Sequence, residues 1–239
     1  MERALEGKVA VVMGASSGMG RATALAYARA GARVVLAARR AEELEAVAGE
    51  IGEAALACPT DARDPAQVES LVNRSVEHFG GIDILVYATG TNIPNRSLDR
   101  LTYETWEMMM GTNVTGAFNC TVAVLPTMRK KGSGLLIYLS SRCVQSADAS
   151  GVSYQASKHA MSGLAHGTFV EEQANGIRTT MIYPGLCDTP LVLQRPVPTP
   201  PEVMARALKP EDVADACLYV AATPSRVRVA ELVLLPAGL

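Results

Sequence analysis

The sequence predicts an α/β protein built on one doubly wound parallel sheet of about seven strands, with helices on both faces. Three observations carry that expectation. Short apolar runs alternate with helix-like stretches along the chain, the first run ends in a cluster of glycines, and no repeat, low-complexity tract or linker divides the 239 residues. A chain of this length that is 49% hydrophobic and 19% charged is large enough to bury one substantial core.

Taken in order, residues 9–13 form the first apolar run, and a helix-like stretch reaches from the glycines to Ala30. Residues 34–37 are the second run, followed by a helical pattern over 42–51. Runs at 54–58, 84–87, 135–139, 179–182 and 232–235 continue the series, with helical patterns between most of them, including one over 153–174. Such short, unbroken apolar runs read as parallel strands covered on both faces. In sheets of that kind ligands gather at the carboxyl ends of the strands.

Composition excludes several classes. A formal net charge of -2 gives no electrostatic case for a nucleic-acid partner. No apolar run approaches the ~20 residues of a membrane span, and the opening from Met1 to Glu6 lacks the apolar centre of a signal peptide. Five scattered cysteines, Cys58, Cys120, Cys143, Cys187 and Cys217, include no C-x-x-C pair and read as reduced thiols of a cytoplasmic protein. The histidines, His78, His159 and His166, have no metal-ligand spacing with Cys or carboxylate, and no metal is expected.

Two stretches carry chemistry. After the first run stands Gly14-Ala15-Ser16-Ser17-Gly18-Met19-Gly20, where glycines permit a tight turn and close approach of backbone to an anion, and the next helix offers unpaired N–H groups. Strand before and helix after make this a phosphate cradle. Further on, Tyr154 and Lys158 are four apart and share one face of a helix. A cation near a phenol lowers its pKa from ~10 by roughly 1–3 units, which suits the phenol to proton exchange with a carbonyl or alcohol oxygen. The spacing alone is common by chance; its context gives it weight.

Gly14, Gly18 and Gly20, then Asn113, Ser141, Tyr154 and Lys158, then Pro184-Gly185, resemble in order and spacing the short-chain dehydrogenase/reductase family, over essentially the whole chain. The resemblance implies a single Rossmann-type domain over residues 1–239, a nicotinamide cofactor, and hydride transfer between that cofactor and a carbonyl or alcohol. It implies Tyr154 as acid/base, Lys158 as the cation that tunes it and binds the nicotinamide ribose, and Ser141 as a donor to the substrate oxygen. Asn113 looks like the family residue that interrupts a long helix and holds a water near the lysine; Gly111 and Gly116 beside it suit a break. Thr189 resembles the threonine that meets the nicotinamide carboxamide, and Asp61 the aspartate that contacts adenine, although helix capping is a competing role for Asp61 with Asp64-Pro65 following.

Cofactor choice turns on the end of the second strand, where an acid suits NAD and an arginine the extra phosphate of NADP. Ala38 aligns with the acidic position and Arg39-Arg40 follow, which favours NADP(H) over NAD(H). The competing role for Arg39 and Arg40 is a solvated helix start paired with Glu42 and Glu43. Two departures from the family stand out. Met13 replaces the usual threonine before the first glycine, and Tyr87-Ala88-Thr89-Gly90 replaces Asn-Asn-Ala-Gly; Gly90 keeps room for the cofactor, while the bonds that brace this turn are left open.

Residues 142–152 and 185–209 are the expected substrate walls, the second a proline-rich loop in which Pro190, Pro196, Pro198, Pro200 and Pro201 argue against a continuous helix. Leu186, Leu191, Val192 and Leu193 suit either a pocket or lid packing. Arg142, Gln145, Gln194 and Arg195 suit either selection of a polar or anionic group or plain exposure. The ending from Glu231 to Pro236 looks like the branch of the family with bacterial hydroxy-acid and serine dehydrogenases and other broad carbonyl reductases. Small residues Ala156, Ala160, Gly163, Ala165 and Gly167 permit close helix contact, and the resemblance implies a homotetramer. The expected function is an NADP(H)-dependent carbonyl reductase or alcohol dehydrogenase acting on a small molecule. An NAD-linked dehydrogenase and a cofactor-sensing regulator without chemistry are the alternatives, the latter disfavoured by an intact Asn-Ser-Tyr-Lys set.

Overall fold

The computed structural model describes residues 3–238; Met1, Glu2 and Leu239, at the ends of two stretches read above, lie outside the described residues. Seven strands form one parallel sheet: β1 (Val9–Met13), β2 (Arg33–Ala38), β3 (Ala55–Pro59), β4 (Ile84–Tyr87), β5 (Gly134–Leu139), β6 (Ile177–Pro184) and β7 (Glu231–Leu234). Their order is β3-β2-β1-β4-β5-β6-β7, so the chain reverses direction across the sheet between β1 and β4. That reversal opens a crevice at the carboxyl ends of those two strands.

Period-two alternation sorts each strand between two cores. In β1, Val9, Val11 and Met13 pack with Val68, Leu71, Val124 and Met161 on one face. Ala10 and Val12 pack with Tyr27, Leu44, Val47 and Val213 on the other. The first face is covered by α3 (Pro65–Phe79), α5 (Gly116–Lys131) and α6 (Val152–Glu172), and the second by α1 (Gly18–Arg29), α2 (Ala41–Ile51) and α8 (Pro210–Ala222). Ala22, Ala26 and Ala214 form the small-residue seam between α1 and α8. Among the described residues no helix is long and apolar enough to cross a membrane.

Local signals set the ends. Asp64 caps α3 by accepting from the amides of Ala66 and Gln67, with Pro65 in the first turn and Gly80 left-handed beyond the end. The capping role left open for Asp61 therefore falls to Asp64. In the proline-rich segment the chain makes a short 3-10 turn, Pro190–Gln194, and a four-residue α7 (Pro201–Met204). No continuous helix forms there, as the prolines require.

Between β4 and β5 runs α4 (Tyr103–Met110), capped by Thr102 and Thr105, then a π-helical turn over Gly111–Thr115, then α5. This is the break expected around Asn113. Its cause includes Tyr87, for which only core packing was in view. The buried Tyr87 hydroxyl donates to the Thr112 carbonyl at 2.5 Å, inside the widened turn. A Cβ on Gly116 would lie 2.4 Å from that hydroxyl, so the helix approaches the tyrosine only because position 116 is glycine. The phenol thus braces the turn where the family's asparagines are missing. Tyr87→Phe should lower stability by about 1–2 kcal/mol, because the Thr112 carbonyl loses its donor in a buried place. Urea unfolding checks this, and an unchanged midpoint would remove the brace.

Candidate functional site

Two clefts open at the carboxyl edge of the sheet and meet at Tyr154. The first, about 520 Å³, runs from the glycine turn past Arg39, Arg40 and Asp61 to Gly90, Tyr154, Lys158 and Thr189. The second, about 450 Å³, is walled by Ser141, Tyr154, Pro184, Gly185 and Thr189. Met19 and Thr189 line both. Asn113 lines neither and lies fully buried behind them.

The turn after β1 admits no side chains at its glycines. A Cβ on Gly20 would fall 2.2 Å from the Gly14 carbonyl oxygen, and one on Gly14, whose φ is +97°, would fall 2.8 Å from the Thr89 amide. Ser16, Ser17, Gly18 and Met19 all line the cleft. Ser17 is the N-cap of α1 yet makes no side-chain cap bond, so the first-turn N–H groups keep their capacity for an anion. A narrow turn whose backbone is left bare at Gly14 and Gly20, followed by a helix N-terminus, fits a pyrophosphate-bearing cofactor.

At the far end β2 stops at Ala38 and Arg39 and Arg40 follow, both exposed. One terminal nitrogen of Arg40 donates to the Ser16 and Ser17 hydroxyls at 3.0 Å each, while the other meets Glu43 at 3.0 Å. Arg40 therefore serves the turn and the helix pair at once. Asp61 is engaged by Arg63, whose Nη2 reaches Oδ2 at 2.6 Å and whose Nε lies 3.1 Å from both oxygens. That guanidinium holds the Asp61 carboxyl below its ordinary range. Arg63, absent from the sequence reading, adds a third cation beside Arg39 and Arg40.

Asn113 anchors the middle. Its Oδ1 accepts from the Thr91 amide at 2.8 Å, and its Nδ2 donates to the Thr91 carbonyl at 3.1 Å and the Ser157 hydroxyl at 2.9 Å. Three segments are joined by one side chain. Lys158 is 3% exposed, donates from Nζ to the Leu139 carbonyl at 2.9 Å, and stands 5.7 Å from the centre of the Tyr154 ring. Gly90 leaves it room, since a Cβ there would sit 3.3 Å from Nζ.

Lys158 was expected to pull the Tyr154 pKa down. In the structure burial pushes the phenol up instead, with Cys143 adding to the rise and the neighbouring Ser141 hydroxyl opposing it. The ammonium lies over the ring and is engaged by a carbonyl, so desolvation outweighs it. Burial also lowers Lys158 itself, to about 8. Tyr154 is thus a protonated donor at neutral pH, with the Ser141 hydroxyl beside it. Ser141 also accepts from the Cys143 amide at 3.3 Å, which fixes its side chain.

Of the expected substrate walls, Leu186, Leu191, Val192, Arg142 and Arg195 line the second cleft, and Leu193 is exposed. Gln145 lines neither cleft, and Gln194 lines the first. Asn92 and Arg96, in the loop after β4, line the second cleft without any local sequence signal.

Comparison with known proteins bears on this arrangement. The sequence model described as "short chain dehydrogenase" matches residues 8–196. An uncharacterized oxidoreductase of Staphylococcus haemolyticus is 34% identical over 97% of this chain and 98% of its own, and one of Staphylococcus aureus strain MW2 is equally similar. A crystal structure of 3-ketoacyl-(acyl-carrier-protein) reductase from Brucella melitensis, complexed with NADH, superposes with a TM-score of 0.89 at 29% identity, covering 98% of each chain.

The buried lysine has a consequence for stability. Below pH of about 8 both folded and unfolded chains hold the Lys158 proton, and the fold bears the full cost of burying the charge. Between there and ~10.4 the folded chain has released the proton while the unfolded one keeps it, so stability rises with pH through this window. The stability of Lys158→Met relative to the wild type should therefore be greatest at pH 7 and fall by up to about 3 kcal/mol by pH 10. Urea unfolding of both proteins at pH 7, 8.5 and 10 reads this, and a pH-independent difference would contradict it.

Proposed function

The chain belongs to the short chain dehydrogenase family of oxidoreductases, which use nicotinamide cofactors, and we propose that it interconverts a carbonyl and an alcohol with NADP(H). The observation that carries the reading is the junction of the two clefts. There a buried phenol, a hydroxyl and a buried ammonium stand together, one at the end of β5 and two on α6.

Bound in the first cleft, the cofactor would supply or accept the hydride. The backbone from Gly14 to Gly20 would hold its pyrophosphate, with Gly90, Pro184, Gly185 and Thr189 around the nicotinamide end and Asp61 toward the adenine. Arg39 and Arg40 would take the 2′-phosphate, in the absence of an acid at Ala38. The Brucella reductase is complexed with NADH; the preference here is inferred from this chain's own arginines. Ser141 and Tyr154 would hydrogen-bond the substrate oxygen, and stabilisation is greatest as that oxygen gains negative charge. Tyr154 then gives up its proton. A phenol of raised pKa is still far more acidic than an alcohol, so the transfer runs downhill. Lys158 would steady the resulting phenolate, and Asn113 positions Thr91 and Ser157 around it.

A homotetramer is the assembly we infer. Phe118 and Val122 on α5 and Val170 on α6 are 51%, 49% and 67% exposed, an apolar surface suited to a second copy. Light scattering should give about four times the 25.2 kDa chain mass, and a monomer would remove the inference.

Tyr154→Phe should reduce NADPH-dependent turnover of carbonyl compounds by about 10²–10⁴-fold, the usual share of a general acid. Undiminished turnover would reject the mechanism. Fluorescence titration of the wild type should find NADPH bound more tightly than NADH, and equal or tighter binding of NADH would overturn the cofactor assignment.

A further inference from the structure

We propose that the substrate is an oxo acid whose carboxylate is bound by Arg96, with Arg195 adjoining it on the same wall of the second cleft. The proposal deepens the reductase reading above and rests on it. Arg96 is 8% exposed, although a long, charged side chain is rarely buried without a counter-ion. Its Nε donates to the Ile93 carbonyl at 3.0 Å and its Nη2 to the Gln194 carbonyl at 2.5 Å. Both partners are neutral, and Nη1 has no hydrogen-bond partner among the described residues. Nor does Arg96 form an ion pair among the described residues.

Arg195 and Arg142 line the same cleft, which makes three guanidiniums against one carboxylate, Asp148. That carboxylate accepts from the Ser150 amide at 2.8 Å and pairs with none of the three. Burial and then the neighbouring Arg195 weaken the hold of Arg96 on its proton, and Asp148 offsets this only in part. A bound carboxylate relieves that repulsion and accepts a charge-assisted bond from the remaining guanidinium edge. The presence of Asp148 on the same wall favours a single negative charge over a dianion.

The position of Arg96 is fixed by the element that carries the tyrosine. Gly151, at φ +92°, precedes α6, and a Cβ there would fall 2.8 Å from the Arg96 Cβ and 2.9 Å from its carbonyl oxygen. The arginine stem therefore packs against backbone three residues before Tyr154. An anion on Arg96 and a carbonyl at Tyr154 belong to one small molecule lying along the second cleft.

Arg96 also clamps the loop after β4 to the 190–195 segment through Gln194, and a clamp alone would serve charged and neutral substrates alike. The test is a ratio. With NADPH and a series of 2-, 3- and 4-oxo acids, each paired with its neutral methyl ester, the best acid should be preferred about tenfold or more in kcat/KM, the size of one charge-assisted bond. In Arg96→Gln that preference should fall to about one. A wild type that takes esters as readily as acids, or a variant in which both fall together, overturns the proposal and leaves the reductase reading intact. If no pair consumes NADPH while other aldehydes or ketones do, the oxo-acid proposal is overturned and the reductase reading stands; if no carbonyl compound does, the reductase reading fails, and calorimetric titration of the NADPH-loaded protein decides the anion site. Tighter binding of acid than ester, lost in Arg96→Gln, upholds it; equal or absent binding removes it.

Discussion

The Asn113 amide is the constraint on which the cleft depends. Completely buried, it satisfies both backbone groups of Thr91 and the hydroxyl of Ser157, and so fastens the loop after β4 to α6 through the π-helical turn. A buried amide with unsatisfied groups is costly, so these bonds hold or fail together. Through Thr91 the amide fixes the backbone beside Gly90, and through Ser157 the helix carrying Tyr154 and Lys158. The widened turn itself is held by the Tyr87 hydroxyl, from the strand underneath. Sheet, helix break and the helix of Tyr154 are thereby registered on one another by three side chains, Asn113, Ser157 and Tyr87, that line neither cleft.

Registration of this kind permits an arrangement that stability alone would not select. Lys158 and Tyr154 are both buried, and each has its proton equilibrium displaced by desolvation, the lysine toward neutrality and the phenol toward retention. These opposite displacements follow from one cause, because burial disfavours whichever form is charged. The result is a proton donor poised beside a cation whose own hold on its proton is weakened. Groups in this condition cluster where proton transfer is done, and here they stand where two clefts meet.

Much of this was readable in the chain. The seven strands follow from apolar runs too short and too uniform for anything but a two-sided sheet, and the glycine turn follows from its place between strand and helix. The reactive helix was expected over 153–174 and spans Val152–Glu172, because Tyr154 and Lys158 lie within a long stretch free of proline. What escaped were side-chain contacts, near and far, that residue type alone does not announce. Arg63 reaches Asp61 over a distance of two residues, yet nothing local distinguishes it from an exposed arginine. Tyr87 looks like any strand aromatic until its hydroxyl finds a carbonyl 25 residues away. Arg96 is covered in part by Gly151, far along the chain, which packs against its stem. The direction of the Tyr154 displacement was misread because sequence gives the spacing of a cation but neither its depth nor its hydrogen-bond partner.

Net charge misleads in the same way. At -2 overall the chain offers no long-range attraction for anions, and this weighed against polyanionic partners. Yet Arg39, Arg40 and Arg63 line one end of the paired clefts, Lys158 the middle, and Arg96, Arg142 and Arg195 the other end. Two carboxylates, Asp61 and Asp148, share these walls, and the first is taken up by Arg63. Since low-dielectric walls focus the field of the charges that line them, the crevice is electropositive along its length on a protein that is slightly acidic as a whole. A crevice of that sign favours anions at both ends, a local property that the sum of charges over the whole chain does not report.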